Sequence, residues 1–361
     1  MTVRRMDPSI MRIVAAGSLA ALVAACSSVT GAPAAPTPSA VAVAPTIAPT
    51  LAPTPAATAS PAPTPDTTVR DGEAWIAAQW EGKIGLIRPD GSGEHAAFPD
   101  VPGGEQLHAD WSPDGKRIAF SIQGTDTEEI WAGDAGGSNT ATLVDCVAPC
   151  VWVDEGAWSP DGRSYIYHRM IDRDGVGVST LEILDLASNK THVVLTAPED
   201  RAFYQPRWSP DSSKVVTEYV KKAGSAVDSD ITGVALAIVD VTAAKPVARE
   251  ITKASEFTNS PDWSGTTDLI VFAQPSSAAG FDGPSDLVTM HPDGSGRTTV
   301  TSVGPHGGQT PEPAWSPDGS RIIFVDMDGT MKTIAVDGSD LARAVATGPR
   351  AGFHPRYRPT P

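Results

Sequence analysis

Cysteine is scarce in this chain: three in 361 residues, Cys26, Cys146 and Cys150. That excludes a disulfide-stapled small scaffold and a four-cysteine zinc ribbon. Basic residues are outnumbered, 27 Lys and Arg against 43 Asp and Glu, for a net charge of −16. So acidic a surface repels phosphate backbones, and nucleic acid is not expected as a partner. Beyond the N-terminus no apolar run is long enough to span a bilayer. There is no Gly-x-Ser-x-Gly elbow, His-Glu-x-x-His helix or Walker loop, so the common hydrolase, metalloprotease and nucleotide signatures are missing and no catalytic residue is assigned. A helical hydrophobic period is also wanting, which leaves strands as the building material.

What is present begins with a leader. Arg4, Arg5 and Arg12 precede an apolar stretch from Ile13 to Ala25, which ends at a cysteine and is too short to span a bilayer. Leu22-Val23-Ala24-Ala25-Cys26 resembles a bacterial lipobox, which implies lipidation at Cys26, removal of 1–25 as a signal peptide, and a chain held outside the cytoplasm by its lipid. An ordinary signal peptide cut near Ala25, or a leader that is never cleaved, is the alternative. From Cys26 to Pro65 there is no charged residue, only Ala, Pro, Thr, Ser, Val and a few others. Such a segment cannot bury enough apolar surface to offset its ordering entropy, so 26–70 is expected to be an extended stalk. The leader carries Arg4, Arg5 and Arg12 against Asp7, a net +2, so the remainder carries −18.

The folded part, 71–361, repeats one phrase: Trp111-Ser112-Pro113-Asp114-Gly115, Trp158-Ser159-Pro160-Asp161-Gly162, Trp208-Ser209-Pro210-Asp211-Ser212, a degenerate Trp263-Ser264-Gly265, and Trp315-Ser316-Pro317-Asp318-Gly319. The spacings are 47, 50, 55 and 52 residues, the length of a four-stranded unit. A short alternating strand follows each phrase, then a second strand, a Gly- or Asn-bearing turn such as Asp293-Gly294-Ser295-Gly296, and a last strand. A four-stranded sheet cannot cover both its faces, so neighbours must stack on it, and radial closure leaves only short edges. His354-Pro355-Arg356-Tyr357 at the C-terminus echoes Gln205-Pro206-Arg207-Trp208, while Glu73 to Asp100 reads as three strands lacking the Trp strand. Joining the two makes a sixth unit. The predicted fold is all-β, a six-bladed β-propeller of four-stranded antiparallel blades, closed by a C-terminal strand joining the N-terminal strands.

The Trp-Ser-Pro-Asp-Gly phrase resembles the repeat of TolB-like propellers, which are WD-like in shape. The resemblance implies that each Trp packs between blades and that Pro-Asp-Gly turns the chain into the next strand. TolB proteins carry an α/β domain ahead of their propeller, where this chain has its stalk, so membership of a Tol–Pal complex is not expected.

Three positions upstream of each repeat Trp or Tyr stand His108, Glu155, Gln205, Ser260, Glu312 and His354, all polar. In a propeller these fall where the innermost strand enters the channel, and they are the candidate ligand-binding rim. Two imidazoles and two carboxylates on four consecutive blades, His108, His354, Glu155 and Glu312, suit a divalent metal, Zn, Mn or Ca; otherwise no cofactor is expected. The plain alternative is that a wet channel mouth needs polar residues. Trp152, Arg201, Phe203, Tyr204, Phe257, His306 and Phe353 lie in segments leading into the inner strands and are candidate ligand contacts or, equally, covers for the core edge. Asp172-Arg173-Asp174-Gly175 reads as a polar hairpin tip rather than a calcium loop, since Val176 and Ile183 stand where ligands belong. The same reading holds for Asp326-Met327-Asp328-Gly329. Cys146 and Cys150 read first as a local disulfide, with a metal site the weaker alternative.

Together these features predict an extracytoplasmic, lipid-anchored binding module, monomeric, for an envelope protein, peptide or glycan, with a metal-dependent carbohydrate-active enzyme as the alternative. Cys26→Ser should abolish incorporation of labelled palmitate and release the protein from the membrane fraction; retention of the label would refute lipidation at Cys26.

Overall fold

The computed structural model describes residues 66–124, 128–275, 285–301, 312–326, 329–343 and 353–359. They belong to one compact unit, 65–361. Six four-stranded antiparallel sheets account for the strands. Blade 2 is β4 (Glu105–Trp111), β5 (Arg117–Gln123), β6 (Glu128–Asp134) and β7 (Ala141–Val144). Blade 3 is β8 (Cys150–Trp158), β9 (Ser164–Arg173), β10 (Val176–Asp185) and β11 (Lys190–Thr196). Blade 4 is β12 (Arg201–Trp208), β13 (Lys214–Lys222), β14 (Ile231–Asp240) and β15 (Ala248–Glu250). Blade 5 is β16 (Asn259–Trp263), β17 (Ile270–Pro275), β18 (Ser285–Met290) and β19 (Thr298–Thr301). Blade 6 is β20 (Ala314–Trp315), β21 (Arg321–Val325), β22 (Met331–Ala335) and β23 (Ala342–Arg343).

Blade 1 is composite. Its outer three strands are β1 (Ile76–Trp80), β2 (Lys83–Ile87) and β3 (His95–Ala96), and its innermost strand is β24 (Phe353–Tyr357), hydrogen-bonded antiparallel to β1. Around the axis β4 touches β8, β8 touches β12, and so on through β16, β20 and β24 back to β4. The ring is closed, as the split sixth unit predicts. Among the described residues the only helix is a single 3₁₀ turn, Ala254–Glu256, and no helix is long and apolar enough to cross a membrane.

The apolar core is six separate layers, one per junction between blades. Strand alternation deals side chains to both sides: Ile118 and Phe120 pack toward blade 1 with Trp75, Ile84 and Leu86, whereas Ala119 between them packs toward blade 3 with Val153 and Tyr165. Each repeat tryptophan fills one layer, Trp111, Trp158, Trp208, Trp263 and Trp315 being 5–8% exposed. Tyr357 takes that place between blades 6 and 1. Three of the indoles also stitch blades together by donating to a carbonyl of the preceding inner strand: Trp111 to Arg356 at 3.3 Å, Trp208 to Ala157 at 3.1 Å and Trp315 to Asp262 at 3.2 Å.

The rest of the phrase is a turn clamp. In all four full copies the serine hydroxyl donates to the aspartate carboxylate at 2.6 Å and accepts the backbone N–H five residues on at 2.9 Å. The degenerate fifth copy keeps the serine, and Ser264 Oγ accepts from the Thr266 and Thr267 N–H groups instead. The disulfide Cys146–Cys150 closes the loop between β7 and β8. Asp172 to Gly175 is the β9–β10 hairpin tip, where Asp172 Oδ1 accepts the Gly175 N–H at 2.7 Å.

Trp208→Ala should cost about 3–5 kcal/mol in urea unfolding, the range for deleting a buried indole; a change near zero would mean the layers do not carry stability. The Asp211 and Asp318 carboxyls are held down at about 2, chiefly by the hydroxyls of Ser209 and Ser316. Depressed folded values mean that their contribution is complete above the ordinary value near 3.8 and is lost as pH falls through about 2. Thus Ser209→Ala should destabilise at pH 6 and lose most of that penalty at pH 2; an equal penalty at both would refute the clamp.

Candidate functional site

The six rim residues share one backbone conformation. His108, Glu155, Gln205, Ser260, Glu312 and His354 all have positive φ, between 46° and 54°, a left-handed geometry that non-glycine residues seldom adopt. Inner-strand pairing slips at this point, between Leu107 and Asp110, Asp154 and Ala157, Tyr204 and Arg207, and Asn259 and Asp262. In β24 it slips between Phe353 and Arg356. Each is a bulge that turns one side chain out of the sheet's alternation. Gly156, after Glu155, is required by close approach: a Cβ there would lie 2.2 Å from the Tyr165 ring and 2.6 Å from the Ile166 carbonyl.

The six side chains are buried, none above 9% exposed, and those from Glu312 through His354, His108 and Glu155 to Gln205 meet in turn. The His354 and His108 rings pack edge to face at 4.3 Å between centroids. His108 Nε2 lies 3.6 Å from Glu155 Oε1. Glu155 accepts from Gln205, at 3.1 Å from its backbone N–H and 3.2 Å from its side-chain amide. Glu218, from β13, accepts the Ser260 N–H at 2.7 Å. Glu312 accepts the His354 N–H at 2.6 Å and lies 3.1 Å from His354 Nε2. The preceding blade's carboxylate thus holds the bulged N–H of the next in three places.

Four residues at the axis were not legible from the rim spacing. Asp154 Oδ1 is 2.7 Å from His108 Nδ1 and also accepts from Ser121 Oγ and the Glu155 N–H. Glu128, Glu218 and His168 are buried beside it, from β6, β13 and β9. Their signal was weak: polar residues in otherwise apolar alternating strands. Trp152 Nε1 donates to His168 Nε2 at 3.1 Å. Three side-chain atoms here are buried without a hydrogen-bond partner: His108 Nε2, His168 Nδ1 and Glu128 Oε1.

Burial governs the electrostatics, and one proton is contested. Desolvation works against a charged His108, but Asp154, Glu155 and Glu312 outweigh it and raise the imidazole to about 9. Burial, with that charge added, keeps His354 well below its ordinary value; burial lowers His168 to about 4. One imidazolium therefore serves the cluster. Desolvation opposes an ionised Asp154, yet His108 and its hydrogen bonds bring it to about 2. Burial raises Glu155 and Glu312 to about 7 and Glu218 to about 8, and drives Glu128 well above the ordinary range with Asp154 beside it.

The ligand atoms of His108, Asp154 and Glu155 lie within 4.8 Å of one another. This differs from the predicted set of His108, His354, Glu155 and Glu312: Glu312 is engaged by His354, and Asp154 stands in the group instead. A carboxylate on Nδ1 with Nε2 unpartnered is how metal-binding histidines are oriented, so the residues fit a divalent ion. Of the predicted ligand contacts, Trp152 and Tyr204 line this side and are half-buried. Phe203 is corrected: it is a core residue, fully buried and stacked on Tyr219 at 5.2 Å. Arg201 pairs with Glu250 at 3.1 Å and lies over the Tyr219 ring. Phe257 follows the 3₁₀ turn and Phe353 opens β24. Cys26, His306, the leader, the stalk to Pro65, and Met327 and Asp328 lie outside the described residues.

In the metal-free protein, histidine NMR should show one imidazole protonated up to about pH 9 and another neutral down to about pH 4, assigned to His108 and His168. Ordinary titration of both near 6.5 would contradict the arrangement.

No protein-family model matches the sequence, and no curated protein matches it. Solved structures do. TolB from Acinetobacter baumannii superposes with a TM-score of 0.60 at 14% identity, covering 80% of this chain and 67% of that one. A protein assigned as TolB from Agrobacterium tumefaciens gives 0.52 at 17% identity over 80% and 99%. A chain of the nidogen/laminin complex gives 0.52 at 9% identity over 79% and 98%. At such identities the likeness is one of fold, and by fold the chain is a TolB-like six-bladed β-propeller.

Proposed function

We propose that this propeller is an extracytoplasmic binding module, tethered by a lipid at Cys26 and spaced from the membrane by its stalk, that engages an envelope protein, peptide or glycan over the channel mouth. The observation that carries the reading is the convergence of buried polar groups from all six blades, each in left-handed backbone and five of them at bulges, with three buried side-chain atoms of the cluster unpartnered. Left-handed backbone and buried unpartnered polar atoms each cost stability, and such costs gather where a ligand is bound. A binding role also suits a propeller that lacks the common catalytic motifs, and one structure of like fold is that of a protein–protein complex, nidogen/laminin. The acidic charge favours basic or neutral partners.

A second reading is favoured by His108 alone: Asp154 on Nδ1 and a free Nε2 3.6 Å from Glu155 Oε1 make a place for Zn²⁺, Mn²⁺ or Ca²⁺. Such an ion would supply Lewis-acid chemistry to a carbohydrate substrate, and the chain's part would be to hold it through His108, Asp154 and Glu155.

Affinity capture from envelope extract together with a glycan array should recover a specific partner for the wild type that is lost in Glu155→Gln; recovery of none, or equal recovery by both, would overturn the binding reading. Elemental analysis of protein never exposed to chelator separates the second reading. Stoichiometric metal absent from His108→Ala supports it, and metal-free wild type removes it.

A further inference from the structure

Blades 3 and 4 are built differently from blades 1, 2 and 6. Their middle strands β9, β10, β13 and β14 run 9–10 residues, against 5–7 for the middle strands of those three. The surplus lies at the end where β8 and β12 begin, since Cys150 pairs with Ile171 and Arg201 with Lys221. Two tall hairpins therefore rise on the rim-residue side of the disc, over one part of the axis. They brace each other, the Gly177 N–H donating to the Ser225 carbonyl at 2.7 Å. Their inner side carries a satellite apolar cluster in which Trp152, Tyr204, Val227 and Phe257 are only partly buried.

At the foot of this wall four carboxyl groups come together: Glu128, Asp154, Glu155 and Glu218. Tyr204 stands among them, opposite Glu218 in the strand ladder, its ring 4.7 Å from that of His168. After burial, the charges raising its phenol are those of Glu155, Glu218, Asp154 and Glu128. Among the described residues no lysine or arginine lies within 4 Å of any of the four carboxyls, whose ion-pair contacts are with His108 and His168. Glu128, 3% exposed, leaves Oε1 without a hydrogen bond. Buried carboxyls elsewhere in proteins are paired with a cation or a full set of donors; among the described residues Glu128 meets no cation, and its side-chain hydrogen-bond partner is another acid, Asp154.

We propose that this recess receives a basic side chain, lysine or arginine, from the polypeptide the propeller binds, with its charged head at Glu128, Asp154 and Glu218 and its aliphatic stem against Trp152 and Tyr204. The inference rests on the binding-module reading and names the chemistry of the partner. A bare metal ion would use His108, Asp154 and Glu155 and would gain nothing from the aromatic wall. A long side chain uses both, because its methylenes pack on indole and phenol while the head reaches the acids. An amino sugar has the head without the stem.

The probes are acetylated, amidated tripeptides with glycine on either side of arginine, lysine or norleucine, titrated into the full-length protein and followed by indole NMR of Trp152. The lysine or arginine peptide should bind saturably, at least ~10-fold tighter than norleucine, a gap of about 1.4 kcal/mol. Glu128→Gln and Glu218→Gln should each erase most of that difference. Equal binding of norleucine, no binding of the basic peptides, or undiminished binding in both variants would overturn the proposal. The norleucine comparison needs no variant, so a poorly folding mutant leaves the test intact. Glucosamine binding with no response to the peptides would also overturn it, while leaving a binding module whose ligand is a sugar. Displacement of the basic peptide by Mn²⁺ would support it, by placing both cations on the shared Asp154.

Discussion

Pairing of β24 with β1 is the contact on which the remaining architecture depends. Each blade presents two apolar faces, and five of the six layers between blades are made by neighbours that follow one another along the chain. The sixth requires a strand from the far end of the sequence to complete the first sheet. With β24 in place, Tyr357 fills the layer between blades 6 and 1 and the Arg356 carbonyl accepts from Trp111. Arg358, just beyond, donates from Nε to the Gly115 carbonyl at 2.8 Å. Closure thus fastens blade 1 to blade 2 as well as to itself, and it brings His354 to the axis.

The same inner strands that close the ring build the candidate site. A regular strand would aim alternate side chains into the two flanking apolar layers and leave the axis to backbone. The bulge in five of the inner strands breaks that alternation at one residue and sends it inward. Because the carboxylates of Glu155, Glu218 and Glu312 each hold the bulged N–H of the next blade, side-chain chemistry and backbone strain are coupled around the ring. The cluster is then divided by electrostatics. One imidazole takes the proton that Asp154 and its neighbours favour, its charge suppresses protonation of the others, and desolvation keeps several carboxyls near neutrality. Acids held protonated by desolvation beside Asp154 would ionise when a cation enters, which suits the recess to one.

Much of the fold was legible because the repeat is written in residues whose roles are local. Trp fills a layer, Ser and Asp clamp a turn, and the split blade shows in the echo of Gln205 to Trp208 by His354 to Tyr357. The rim was legible for the same reason: a fixed offset from each Trp. What could not be read was proximity across blades. Asp154 sits beside Glu155 in sequence, yet it matters through His108, 46 residues away. Glu128, His168 and Glu218 reach the axis from second and third strands, whose register no spacing rule supplied. The extended hairpins of blades 3 and 4 also escaped notice, since a longer repeat interval does not say which end of a strand has grown. Phe203 could be placed only by the structure, because aromatic residues near a strand start serve core and ligand alike.

The central claim is that the mouth beside blades 3 and 4, rather than the outer edges of the blades, is where this protein meets its partner. It is tested most directly by photo-crosslinking in intact cells with a benzophenone amino acid placed at Trp152, at the mouth, or at Val193, an exposed residue of the outer strand β11. The account predicts a discrete adduct from position 152 and none from 193. Adducts from 193 alone would contradict it.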